Sequence, residues 1–340
     1  MRNTDLQPDV LPKPRILGEA ALLFTILAVV TTPEMLISLG PMQTSLTSHI
    51  QSVRDIAHVE VTVLRMIGFA LAATLAVAAI MRRRILDSSF VRRINVHVPK
   101  ESPRHSSIMR FFNRSLLISG VFVVAGLFHV GLIASILSPA QLLVVSGEDG
   151  VIEYSTALVF LICSLVSARL SFKFAGQRPR ALIHALFAFV FFLMVGEEIS
   201  WGQRIFSLHL PEALKNANVQ GEINLHNMYG YFADHVFIMG VFVYGCLVPL
   251  LARFSVFYRK LFDLVGLPIA SPGLAIGFLV ISMLQRSLVH VFFVPPPGAD
   301  LEELREFLTA VAFALLMYES WLLSRTSPRP PDSASSVTGS

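Results

Sequence analysis

The chain has 340 residues, of which 54% are hydrophobic and only 15% charged. Soluble domains carry about 25% charged residues, so the composition excludes an ordinary water-soluble enzyme. The formal charge of +4 does not mark a nucleic-acid binder, because the basic residues follow a sidedness pattern instead of forming one patch.

A membrane span needs about 20 mostly apolar residues to cross about 30 Å of hydrocarbon. In chain order, the runs that qualify are 16–39, 61–80, 115–137, 151–172, 181–200, 231–252, 269–294 and 307–324. The sequence therefore predicts an all-α polytopic transmembrane helix bundle of about eight spans. Residues 1–325 form a single transmembrane domain on this reading, and 326–340, rich in Ser and Pro, form a disordered cytoplasmic tail. The first run is too long for a cleaved signal peptide, and no small-x-small site follows it before Pro41. The two cysteines, Cys163 and Cys246, lie inside apolar runs and offer neither a disulfide framework nor a CxxC site.

Charge asymmetry orients the bundle. With the N-terminus inside, 21 of the 27 Lys and Arg residues fall in the tails and the even-numbered connections. The 82–114 loop is the most basic of these. It reads as a positive-inside anchor, with an amphipathic look that would also suit a short interfacial helix. Both termini are thus expected in the cytoplasm, and the protein in the cell inner (plasma) membrane.

Acidic residues show the opposite bias, and some lie within spans. An ionisable side chain there costs about 2.5–3.5 kcal/mol or more and commonly marks function. The sharpest stretch is GEEISWGQR, which closes the apolar run ALFAFVFFLMV. At helical spacing Glu197, Trp201 and Arg204 share one stripe, at i, i+4 and i+7, with Glu198 about 100° away. Two adjacent carboxylates there suit an acid/base pair, so Glu198 and Glu197 are the catalytic candidates, with Trp201, Gln203 and Arg204 beside them. The alternative is a salt-bridged helix cap.

The polar loop that follows supplies Glu222, Asn224, His226 and Asn227, and the sixth span begins with Asp234 and His235. Asp149 and Glu153 lie four residues apart at the start of the fourth span, where acidic side chains also simply suit a helix N-terminus. Arg286 and His290 are likewise four apart near the outer end of the seventh span. Mixed histidine and carboxylate groups at similar depth suit Zn²⁺ or another divalent metal that activates water, with His226, His235 and His290 as ligands. No HExxH spacing is present.

The segments GEEISWGQRIF and NVQGEINLHN resemble a family of bacterial multi-pass membrane proteins with EEISWGQ and N-x-Q-G-E-x-N-L-H-N text. The resemblance covers positions 196–227 and implies a membrane protein without implying an activity. A looser likeness is to the alkaline ceramidases and related membrane hydrolases, which hold zinc with three histidines and an aspartate. The chain departs from them in span count and in lacking S-x-x-x-H and H-x-x-x-H spacings, so that likeness is analogy.

Function is then expected at the outer face. The first reading is a metal-dependent hydrolase or transferase acting on a lipid or lipid-linked substrate. The second is a non-catalytic subunit or assembly factor that binds other membrane protein subunits. A transporter is less favoured, because charge in the inner half of the spans is sparse, with Glu19, His184 and Glu319 the main candidates.

Overall fold

The structure is a computed structural model that describes residues 13–39, 46–47, 49, 51–89, 126, 136–147, 150–203, 206–207, 232–284 and 301–325. Most of the expected span 115–137, most of the 82–114 loop and the 326–340 tail lie outside the described residues.

Every described element is helical. Helix α1 (Pro14–Val30) starts on a proline, whose missing N–H costs nothing at that position. It ends before Thr32-Pro33, because the residue preceding a proline is pushed out of the helical region. Helix α2 (Pro33–Leu39) restarts there, and the Thr32 hydroxyl accepts the Met35 N–H at 3.3 Å. The run expected as one span over 16–39 is therefore two helices. Helix α3 (Gln51–Ile80) is longer than its apolar run, and α4 (Arg82–Leu86) and α5 (Pro139–Ser146) are short.

The main body contains α6 (Val151–Lys173), α7 (Arg178–Glu198) and α8 (Phe232–Phe242), which continues through a π turn at Val243–Leu247 into α9 (Val248–Phe254). Pro249 has no N–H to offer the preceding turn, a common cause of such a widening. Helices α10 (Val256–Val265), α11 (Pro272–Ser282) and α12 (Leu301–Ser324) complete it. Among the described residues, five helical stretches are long and apolar enough to cross a membrane: Ala57–Ile80, Pro139–Lys173, Arg178–Glu198, Val236–Arg253 and Leu301–Ser324. The chain is a multi-pass helical membrane protein.

The core of the main body is aromatic. Phe191 packs on Phe160 and Phe313 with ring centroids 6.0 and 5.3 Å apart, and Phe313 also meets Phe278 at 5.2 Å. Helix α12 passes through the middle, with Leu316 and Met317 at most 1% exposed. It runs parallel to α6, as the Lys173 ammonium shows by donating to the Ser324 carbonyl at 2.7 Å. The start of α6, the end of α7 and the start of α12 therefore share one end of the bundle, which collects Glu153, Glu197, Glu198, Glu303 and Glu306. Arg169, Lys173, Arg178, Arg180 and Arg325 collect at the other.

A candidate carboxylate site at the end of three helices

Helix α7 stops at Glu198, and the chain reverses through Ser200, Trp201 and Gly202, with φ of 45°, 52° and 76°. For the two non-glycine residues this left-handed backbone costs about 1–3 kcal/mol each. The Trp201 side chain offsets part of it. Its indole folds over Gly196, where a β-carbon would sit 2.8 Å from the ring, and its Nε1 donates to Glu197 Oε1 at 2.8 Å. The expected continuous stripe through Glu197, Trp201 and Arg204 is not what joins these residues. Trp201 reaches Glu197 because the helix ends, and glycine at 196 leaves room for the ring.

The reversal divides the acidic pair. Glu197 is 5% exposed and tied to Trp201. Glu198 instead meets Glu303 and Glu306 from the first turns of α12, and one ligand oxygen from each of the three lies within 4.8 Å of the others. Glu303 and Glu306 come three residues apart, so they share a helix face. Their place at the positive end of α12 stabilises negative charge there. Glu153, in the first turn of α6, lies within electrostatic reach of Glu198.

Among the described residues, Arg305 brings a basic group to this end of α12. It is 5% exposed, and its Nη2 stands 3.5 Å from Glu306 Oε1. Three carboxylates this close suit a hard, oxygen-seeking divalent ion.

Of the residues expected at the site, Glu197, Glu198, Glu153, Trp201 and Gln203 are described, and the first four come together around the end of α7. Gln203 follows the reversal, and its N–H donates to the Ser200 carbonyl at 2.9 Å. Asp149, Arg204, Glu222, Asn224, His226, Asn227, Arg286 and His290 lie outside the described residues. His235 falls in α8, but its side chain is outside them as well. The sequence places Glu303, Glu306 and Arg305 on the outer side but not among the candidate site residues, because the last apolar run begins at 307. The three-residue spacing of Glu303 and Glu306, with Arg305 between them, was the available signal. Comparison with protein-family models, curated proteins and solved structures returns no match.

Proposed function

We propose that the protein binds a divalent cation at the acidic end of the bundle and uses it in hydrolysis or group transfer on a lipid or lipid-linked substrate. The observation that carries this reading is the meeting of Glu198 with Glu303 and Glu306 from a separate helix. The donors are all oxygen, so Mg²⁺, Mn²⁺ or Ca²⁺ fits them better than the Zn²⁺ expected from the histidines. Such an ion polarises a phosphoryl or carbonyl oxygen and lowers the pKa of bound water.

Around it, Glu198, Glu303 and Glu306 serve as ligands, Glu153 is placed to take a proton, and Glu197 with Trp201 fixes the end of α7. Arg305 is the group suited to an anionic head group. We assign the acidic end to the outer face of the inner membrane and the basic end to the cytoplasm, in keeping with the positive-inside rule. The likeness of positions 196–227 to the bacterial EEISWGQ family belongs to this proposal.

The test is metal analysis and thermal unfolding of the purified protein. Mg²⁺, Mn²⁺ or Ca²⁺ should raise Tm in the wild type, and Glu198→Gln should lose both the bound ion and the shift. A wild type whose Tm ignores all three ions, and which carries no metal, overturns the reading. The cluster would then be architecture or a docking face for another membrane subunit.

A further inference from the structure

Glu319 lies on α12 sixteen residues beyond Glu303, about 24 Å along the axis at 1.5 Å per residue. It therefore belongs to the basic end of the bundle. The residue is 1% exposed, and its Oε2 accepts the Ser271 backbone N–H at 3.3 Å. Ser271 is the residue before α11, so the positive end of that helix faces the carboxyl group. A helix cap needs no more than this single acceptor, which an asparagine or serine also provides.

The rest of the arrangement exceeds a cap. The hydroxyl of Ser271, a residue with no exposed surface, lies within reach of the Glu319 carboxyl, yet neither it nor Glu319 Oε1 makes a hydrogen bond of good geometry. Residues 267–271, which lead into α11, are not helical. Tyr244, from the π turn, donates its hydroxyl to the Pro268 carbonyl at 2.5 Å and lies within electrostatic reach of Glu319. Among the described residues, Tyr244 is the titratable group that shares this pocket of charge with Glu319.

A buried carboxyl and a buried hydroxyl that face each other from α12 and the start of α11 without a well-formed hydrogen bond are completed by one positive charge. Interrupted helices beside an ionisable residue are where membrane proteins hold small cations. We propose that Glu319 and Ser271 form a binding site for one monovalent cation, a proton or Na⁺, at the end of the bundle opposite the carboxylate cluster. A proton rests on Glu319 and is shared with the serine hydroxyl, whereas Na⁺ is held between the two oxygens. The site is independent of the divalent-cation site and survives its failure.

The experiment is infrared spectroscopy of the purified full chain in phosphatidylcholine nanodiscs, paired with thermal unfolding in sodium and in choline chloride. A proton gives a carboxylic-acid C=O band at neutral pH that moves in D₂O, is lost in Glu319→Gln and shifts in Ser271→Ala. Sodium gives no such band, but NaCl in place of choline chloride raises Tm in the wild type and not in Glu319→Gln. Either result bears the proposal out. A wild type whose acid bands are untouched by Ser271→Ala and whose Tm ignores Na⁺ overturns it, and this readout stands even where Glu319→Gln fails to fold.

Discussion

Helices α1 and α3 pack against each other with small residues, whereas α6, α7, α11 and α12 pack with aromatic ones. On α1 and α3 the buried positions include Ala21, Ala28 and Ala72, and a β-carbon on Gly68 would lie 2.8 Å from the Ala28 Cβ. The Arg65 guanidinium also donates to the Ala28 carbonyl at 3.1 Å. In the main body, Phe160, Phe191, Phe278 and Phe313 fill the space between helices. Only 6% of the apolar window of α3 is buried, against 50% of that of α12. Lipid chains solvate an apolar side chain as well as protein does, so apolarity alone drives no association in a bilayer. The α1–α3 pair is held by close backbone approach, and the main body by shape and by the polar groups at its two ends. The two regions should therefore be sensitive to different substitutions.

The largest effect is expected at the acidic end of the main body. Arg305→Met removes a buried guanidinium from beside Glu306, and breaking such a pair costs about 3–5 kcal/mol. Thermal unfolding should show the loss, and adding Glu306→Gln should recover part of it. Strictly additive losses in the double variant would separate the two residues. Next comes the aliphatic packing of the same helix. Leu316 is fully buried, and Leu316→Ala should cost about 2–5 kcal/mol by leaving a cavity, read as a lower Tm. A loss below about 1 kcal/mol would mean that the main body packs no more tightly than the α1–α3 pair.

A third substitution attacks that pair by its own rule. Gly68→Val places a branched side chain where Ala28 already makes close contact, and overpacking of this kind costs about 1–3 kcal/mol. Proteolytic cleavage between α1 and α3 should quicken, while the response of the main body to Mg²⁺, Mn²⁺ or Ca²⁺ stays unchanged. A change in that response would show that the two regions are coupled.

The all-helical membrane class was legible in the sequence because runs of twenty apolar residues leave few alternatives, and the described helices gather acidic residues at one end and basic residues at the other. Glu197 and Glu198 were legible as a pair, since charge at the end of an all-apolar helix stands out. How they divide was not. That depends on a reversal through Ser200 and Trp201, which have positive φ although neither is glycine, and no local propensity predicts it. The partners Glu303 and Glu306 were hidden for a different reason. Charge in the first turns of α12 lowers local hydropathy, so a reading of apolar runs starts the span six residues late and leaves them in a loop. The break at Thr32-Pro33 was written in the sequence, but the surrounding run was apolar enough to conceal it.

The smallest effect is expected where apolar side chains face outward, and it tests the comparison most directly. Leu23 of α1 is 54% exposed, as large and apolar as the fully buried Leu316 but with far less protein packing to lose. In water its truncation would reduce exposed apolar surface, and in lipid it exchanges one apolar contact for another. No cavity forms, because acyl chains close over the shortened side chain. Leu23→Ala should therefore change stability by no more than about 0.5 kcal/mol, the usual range for surface substitutions away from special features. Tm measured in phosphatidylcholine nanodiscs should match the wild type, while Leu316→Ala in the same lipid falls well below it. A Leu23→Ala loss approaching that of Leu316→Ala would mean that another part of the chain, or a second protein, covers this face of α1. The contrast between a lipid-solvated helix pair and a packed main body would then have to be given up.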